Sequence, residues 1–543
     1  MDIDLTQLPR VRRTPPTMLR PQRPTPRSLA ELATRIGGEL RGDDARITGI
    51  TLSSSDLAAG DVFVGIRGAN RHGAEFAVQA AANGASAVLT DADGAALADG
   101  TGLPVVVVDD PRGALPAAAA WVYGTTPDDE LPLLLATTGT NGKTSVTHLL
   151  DGLLTQIGAV SGASTSAERV IAGERVVAGL TSPEATEFHA QLARMREAGV
   201  EAVAIEVSAQ AVTRHRVDSV LFDVMAFTNL THDHLDDYGD MESYYQAKAP
   251  LFTKERARRA VVSLDSTPGS RIAAEATVPV TTIATPDIAA DRAVAEKADW
   301  IVEVTREEQR GTSFRLTGPE GSLETTVPVI GAHMASNAGL AIVMLLEAGY
   351  TWSRIREALE RDGGIRAWVP GRTQLVSGAE GPAVYVDFGH TPDAFEKTLA
   401  AVRRVTPGRV LMLFGADGDR DTLKRPDMGR TAVEGSDIVV ITDHHPRFED
   451  APSIRQTLLG AARAADPQHE IYEVSPPEAA IVKAVSLVGP GDAILWAGPG
   501  HQNYRDIEGT QWGYSARELS RRALIAAGWP APDRVWPNPY LDD

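Results

Sequence analysis

From Leu131 the chain reads LPLLLATTGTNGKTS, an apolar run that ends in a turn with two glycines, followed by a lysine and two hydroxyls. An apolar run without polar alternation suits a strand buried in a parallel sheet, and the following KTSVTHLLDGLLTQIG carries apolar residues at helical spacing. A strand, a tight turn and a helix therefore follow one another, which points to an α/β fold. In such a turn Gly139 and Gly142, flanking Thr140 and Asn141, let backbone N–H groups approach phosphate oxygens. Lys143 neutralises charge there, and the hydroxyl of Thr144 or Ser145 can ligate Mg²⁺. The usual phosphate loop has a glycine five residues before Gly142, where this chain has Thr137, so the motif is a variant.

With 543 residues the chain is too long for one core, and three domains are expected. A net charge of −20 argues against a general nucleic-acid binder, although a local basic pocket for a phosphorylated small molecule stays open. The absence of cysteine removes disulfides, thiolate metal sites and thiol nucleophiles. No apolar stretch reaches the ~20 residues of a membrane helix, and the N-terminus lacks a signal-peptide core, so a cytoplasmic protein without membrane insertion is expected. Residues 1–27, rich in proline and arginine, are expected to form a disordered arm.

A helix capped by Ser28 and four short strands predict a small α/β domain over 28–129, closed by the polar linker Thr125 to Asp129. A central domain over 130–363 holds the phosphate loop and the strands AVAIEVS and VMAFTNL, with polar residues at their C-terminal ends, where parallel sheets bind ligands. The strands AVYVDF, VLMLFGA, DIVVITD and AILWAG, interleaved with helices, predict a third α/β domain over 364–543. Downstream of the loop, Glu206 ends one strand, Asp233 and His234 follow another, and Lys248 sits in SYYQAKAPLF. Taken singly, each suits a cap or a solvated side chain. Near a phosphate loop, a carboxylate and an imidazole suit a second Mg²⁺.

The set TGTNGKT, EVSAQAVTRHRV, FTNLTHDHLDDYGDMESYYQAKAPLF, VDFGHTPDAF, LFGADGDRD and AGPGHQ, in this order, resembles the Mur ligases of peptidoglycan synthesis. Within them it is most similar to the group that adds the third residue. The resemblance runs from about Ser28 to the C-terminus. It implies a UDP-binding domain, a central ATPase-type parallel sheet and a Rossmann-like C-terminal domain. It further implies an ATP-dependent, ADP-forming ligase acting through an acyl phosphate. The acceptor would be the D-glutamyl carboxylate of UDP-N-acetylmuramoyl-L-alanyl-D-glutamate, the second substrate a free amino acid, and the enzyme a monomer.

Carried onto this chain, the resemblance implies that Lys143 and Thr144 hold the ATP phosphates and one Mg²⁺, while Glu206 and His234 ligate a second. Lys248 matches a lysine carbamylated by CO₂, which turns a cation into an anionic oxygen ligand and requires a desolvated, neutral amine. Asn337, Arg372, Asp387 and His390 would meet the nucleotide. Leu52, Ser54, Ala69, Asn70 and Arg71 match uridine-binding segments, and Thr181, Ser182, Ser208 and Arg216 match the groups that hold the muramoyl dipeptide. Met334 and the Ser208-Ala209-Gln210 segment depart from the family pattern, which usually has asparagine and Ser-Ser-His there.

His444, His445, Arg447, Gly498 and Gln502 match the amino-acid site. Members that select meso-diaminopimelate carry Asp-Asn-Pro-Arg and Gly-Lys-Gly-His-Glu where this chain has His444-His445-Pro446-Arg447 and Gly498-Pro499-Gly500-His501-Gln502. Both acids are gone, and a buried ammonium without a carboxylate costs about 3–5 kcal/mol. The expectation is a neutral or short residue, L-homoserine first, unless Asp417, Asp443, Glu449 or Asp450 substitutes. The alternatives are L-lysine, L-ornithine, L-diaminobutyrate or meso-diaminopimelate, a sibling ligase that adds D-Ala-D-Ala or a folate polyglutamate tail, and a non-catalytic nucleotide-binding paralogue. Retention of Lys143, Glu206, His234 and Lys248 argues against the last.

Overall fold

The computed structural model describes residues 18–68 and 70–532, in which three large sheets follow one another along the chain. Ala69 and the first 17 residues of the expected arm lie outside the described residues. The first sheet runs Glu39–Arg41, Val105–Val107, Ala87–Thr90, Asp61–Gly65 and Gly49–Thr51, with only the first strand antiparallel to its neighbour. Its leading helix, Leu29–Arg35, starts where the sequence predicts: the Ser28 hydroxyl accepts the Glu31 N–H at 3.2 Å.

The expected disordered arm is corrected for residues 18–27, which are docked on this first domain. Arg20 donates to Asp56 at 2.9 Å and to Asp61 at 3.0 Å, and the Met18 amide donates to Asp56 at 2.6 Å. The Asp61 side chain is only 2% exposed, and a carboxylate buried to that extent requires a cation. Composition reveals the arginine but not the anion it meets.

The central sheet has the order Glu174–Val177, Glu168–Ile171, Ser161–Ser164, Ala202–Glu206, Leu133–Thr138, Phe222–Phe227, Ala257–Ser263, Val280–Ala284, Trp300–Glu308, Gly311–Gly318 and Gly321–Val327. Its middle, from Ser161–Ser164 to Trp300–Glu308, is parallel, and an antiparallel ribbon extends each edge. Apolar residues cover both faces. One face packs on helices Lys143–Gln156 and Ala332–Glu347, the other on Ala185–Glu197. The outer ribbon alternates buried and exposed positions, so its pattern is weaker in sequence than the continuous runs of the parallel strands.

Strand order fixes where chemistry can occur. Leu133–Thr138 connects outward to Ser161–Ser164, Ala202–Glu206 fills the gap between them, and Phe222–Phe227 lies on the other side. That reversal is a topological switch point, whose crevice lies beyond the carboxyl ends of the strands. Glu206, the phosphate loop and Thr228 to Asp233 all emerge there.

The third sheet runs Gln374–Leu375, Ala383–Asp387, Ala493–Ala497, Val410–Phe414, Ile438–Ile441 and Glu470–Glu473, parallel after the first strand. The four strands beginning at Ala383, Ala493, Val410 and Ile438 are adjacent, and their carboxyl ends carry Asp387, Gly498, Asp417 and His444 into one crevice. Among the described residues, no helix is long and apolar enough to cross a membrane.

Candidate active site

The two crevices face each other across one cavity of about 400 Å³. On the central side the phosphate loop is braced by the neighbouring strand. The Thr140 amide donates to the Asn229 carbonyl at 2.8 Å, the Asn141 amide to the Asn229 side chain at 3.0 Å, and the Thr228 hydroxyl to the Asn141 carbonyl at 2.6 Å. Glycine is required twice. Gly139 has φ +147°, where a Cβ would collide with the Thr228 hydroxyl. Gly142 has φ +94°, where a Cβ would come within 2.8 Å of Asn337 Oδ1. Gly142 also caps the helix Lys143–Gln156, so its free N–H groups open toward the cavity. The Lys143 ammonium folds back on the carbonyls of Gly139 (3.0 Å) and Thr140 (2.8 Å). Burial pushes its pKa down, against the pull of Glu206 and Asp233.

Glu206 is fully buried. One carboxylate oxygen accepts the Ser166 amide at 2.7 Å; the other, Oε1, has no hydrogen-bond partner among the described residues. An orphaned buried carboxylate oxygen beside a phosphate loop fits a cation ligand. The Thr144 hydroxyl accepts from Arg372 at 2.8 Å and lies 3.2 Å from the Ser166 hydroxyl. Asp233 faces three cations or imidazoles: Lys424 at 3.4 Å, His234 at 3.6 Å and His390 at 3.9 Å. Burial raises its pKa, but His390, Lys424, His234 and Lys143 outweigh burial and hold the carboxyl below its ordinary range.

Lys248 is 1% exposed, at the junction between helix Met241–Gln246 and the short turn Ala249–Phe252. Its ammonium donates to the Gly139 carbonyl at 3.1 Å and sits 4.7 Å from the centre of the Tyr244 ring. Burial pushes its pKa well below the ordinary lysine value, with Lys143 adding to the effect and Asp233 opposing it. A solvated lysine is excluded, and a buried amine without a bonded anion fits carbamate formation.

Thr181, Ser208 and Arg216, expected on the peptide side, line the cavity. Ser182 stands behind them, donating to the Glu206 carbonyl at 3.0 Å and accepting the Ser208 amide at 3.2 Å. Arg216 is held by Glu184 at 2.8 Å. On the third-domain side His390, Asp417, His444, Arg447, Gly498 and Gln502 line the cavity. Asp387 lines it too, but its oxygens accept the Thr373 and Gly389 amides, both at 2.6 Å, so it shapes the loop. His445 is backed away from the cavity, with Nε2 donating to Gln502 at 3.0 Å and Nδ1 accepting the Asp506 amide at 2.9 Å. Burial pushes it down to about 3, in keeping with a neutral ring.

The expected uridine residues do not join this cavity. Ser54 donates to Gln79 at 3.2 Å, Arg71 pairs with Glu75 at 2.8 Å, and Leu52 packs on the first-domain core. Leu52, Ser54, Asn70 and Arg71 all belong to the first domain, outside the cavity lining. Sequence reasoning missed Ser166, Arg420 and Lys424. Arg420 and Lys424 follow the strand Val410–Phe414, and only the rule that ligands gather at strand ends could have singled them out.

Comparison with known proteins agrees with this three-part architecture. Residues 46–123 match the Mur ligase family catalytic domain, 137–345 the Mur ligase middle domain, and 371–500 the Mur ligase glutamate ligase domain. A UDP-N-acetylmuramyl-tripeptide synthetase of Leifsonia xyli subsp. xyli is 53% identical over 517 residues, covering 95% of this chain and 99% of the relative. A UDP-N-acetylmuramoyl-L-alanyl-D-glutamate–2,6-diaminopimelate ligase of Streptomyces coelicolor is 40% identical over 512 residues, covering 93% and 98%. Among solved structures, a ligase with that same diaminopimelate name aligns at TM-score 0.61 and 23% identity over 93% of this chain and all of the other. A Thermotoga maritima MurF ligase in complex with ADP aligns at TM-score 0.59 and 16% identity, covering 88% and 96%.

Proposed function

This chain belongs to the Mur ligase family of ATP-dependent, ADP-forming ligases, and we propose that it joins an amino acid to the D-glutamyl carboxylate of UDP-N-acetylmuramoyl-L-alanyl-D-glutamate. One observation carries the reading: a single cavity is lined by the phosphate loop, by Thr181, Ser208 and Arg216, and by a polar cluster from the third domain. Three ligands can therefore meet in it. In this reading residues 28–129 hold the UDP end, 130–363 bind ATP and 364–543 bring the amino acid.

The D-glutamyl carboxylate attacks the γ-phosphorus of ATP, and ADP leaves. The amine of the incoming amino acid then attacks the acyl phosphate, and inorganic phosphate leaves. The main barrier to the first step is the approach of two anions. Lys143 and the loop N–H groups offset that charge at fixed positions. Thr144, Glu206 and His234 are the residues that would hold two Mg²⁺ ions, together with the Lys248 carbamate. When bound, those ions supply charge neutralisation at the phosphoryl oxygens. The carbamate forms as the neutral Lys248 amine adds CO₂ and releases one proton. Asn337, in the second turn of the buried helix Ala332–Glu347, and His390 line the cavity where the nucleotide would lie. Contacts between the domains, Asn141 to Asp393 at 2.9 Å and Arg372 to Thr144 at 2.8 Å, hold the two walls of the cavity together, and a site closed around its substrates would exclude water that hydrolyses the acyl phosphate.

The test is ADP release with Mg-ATP, an amino-acid mixture and defined acceptors. Release that requires UDP-N-acetylmuramoyl-L-alanyl-D-glutamate, with a product heavier by one amino-acid residue, is the expected result. Equal release with an acceptor lacking D-glutamate contradicts it.

A further inference from the structure

A line of charge crosses the seam between the first and central domains. Helix Pro111–Tyr123 of the first domain and helix Ala185–Glu197 of the central domain lie side by side, with Ala185, Ala190 and Ala193 packed among Ala118, Ala119 and Val122 in one apolar cluster. Their C-terminal ends are tied where Arg196 donates to the Tyr123 carbonyl at 3.2 Å, and their N-terminal ends where Arg112 donates to Glu184 at 2.7 Å. The other Glu184 oxygen lies 2.8 Å from Arg216, which lines the cavity, whereas Arg112 stands outside the lining. We infer that Arg112 is a positioning residue: by occupying one oxygen of Glu184 it holds Arg216, and the charge of Arg216, toward the anionic acceptor. The inference rests on the ligase function proposed above.

Glu184 is one anion shared by two cations. It stands at the N-cap of its helix, yet its side chain caps no N–H there, so both oxygens serve the guanidinium groups. Arg112 takes Oε2 and Arg216 takes Oε1. Glu187, one turn further on, lies 3.9 Å from Arg169, so each anion at the seam has a cation and one positive charge is left over. That surplus suits an acceptor that carries carboxylates. Apart from Glu184, Arg216 has only a long contact to the Ser182 carbonyl at 3.4 Å, and its buried Nε has no hydrogen-bond partner among the described residues. Donors therefore remain for a ligand. Without Arg112, both oxygens of Glu184 are free to take Arg216 in a two-point pair, which draws the guanidinium onto Glu184 and neutralises it.

Stability gives Arg112 little to do. Its side chain is 37% exposed and that of Glu184 25%, and so open a pair adds little to the folded state, while the apolar helix contact already seats the two domains. Arg216 is only 8% exposed, where a charge acts strongly on whatever lies beside it. Losing Arg112 is therefore felt at the acceptor, not in the fold.

The experiment measures steady-state ADP release by the purified full-length enzyme, varying Mg-ATP, UDP-N-acetylmuramoyl-L-alanyl-D-glutamate and the best amino acid of the wild type in turn. Arg112→Gln is expected to raise the KM for the acceptor about 10-fold, with the KM values for ATP and the amino acid within about 2-fold of wild type. Arg112→Lys, which keeps the charge, should recover part of the loss. Glu184→Gln removes the group through which Arg112 acts, so adding Arg112→Gln to it should cause no further change. An unchanged acceptor KM in Arg112→Gln overturns the inference, as does an equal shift in all three KM values. A further loss in the double variant overturns it too. Absence of ADP release dependent on the dipeptide in the wild type overturns the ligase reading instead.

Discussion

The two halves of the cavity are built alike and constrained differently. Both sit at the carboxyl ends of adjacent parallel strands, but the central half takes its groups from one braced loop and two neighbouring strand ends. The third-domain half gathers Asp387, Asp417, His444 and Gly498 from four strands spread over more than a hundred residues. In the central half Lys143 is met by two carbonyls and Asp233 by Lys424, His234 and His390, while one Glu206 oxygen is left open among the described residues, as a cation ligand requires. In the far half Asp417 is met by His444, and Asp387 by two backbone amides. Groups that meet phosphate and cation suit a step common to every substrate, and a cluster drawn from distant strand ends suits a choice among substrates.

If the halves divide the labour in this way, substitutions in the first should lower turnover for every amino acid and those in the second should alter preference. The largest effect is expected for Lys143→Ala: a loss in kcat of about 10³-fold or more, equal across an amino-acid panel. A loss confined to one amino acid would break the division. Next comes Lys248→Ala, expected to cost about 10²-fold in kcat and to be partly rescued by formate or acetate, which return an anionic oxygen. Its pH dependence has a definite sign. Carbamate needs the neutral amine, whose pKa burial lowers, so activity falls as pH drops through that value and added bicarbonate restores part of it. An acid limb indifferent to bicarbonate would remove the carbamate.

A smaller effect is expected for Gln502→Glu, which places a carboxylate where Gln502 now accepts from His445 at 3.0 Å. The new charge should raise His445 from about 3 and lower the KM for diamino acids by roughly 3- to 10-fold, leaving kcat nearly constant. A fall in kcat without a change in KM would place Gln502 in the catalytic half. The smallest effect lies outside both. Ser28→Ala removes the cap of the first helix and should cost about 1 kcal/mol of first-domain stability in denaturant titrations, with ligation rates unchanged.

The legibility of the two halves differs for the same reason. GTNGKT is readable because its residues are neighbours and their spacing is itself the geometry, and the strands behind it are readable from apolar runs. Lys248 is less so: an amphipathic segment gives no sign that its lysine is buried at 1% exposure beneath the Gly139 carbonyl. The docking of residues 18–27 and the partnership of Asp417 with His444 are not readable at all. Each joins groups about 25 to 40 positions apart, and nothing local states which carboxylate an arginine or imidazole will meet.

By itself the sequence determined the α/β class, the run of strands and helices, the phosphate loop with its two obligatory glycines, and the membership that six ordered motifs disclose. Hydrophobic period and backbone conformation are local properties, and local properties survive in a linear string. Only the tertiary structure decided which of four nearby acids faces the cavity, that Glu206 keeps an unpaired oxygen among the described residues, that Lys248 is dry, and that the expected uridine residues stand apart from the cavity. Those facts depend on burial and on contacts between distant strand ends. The free energy of a charge or a lone pair is set by what surrounds it in space, not by its neighbours in the chain.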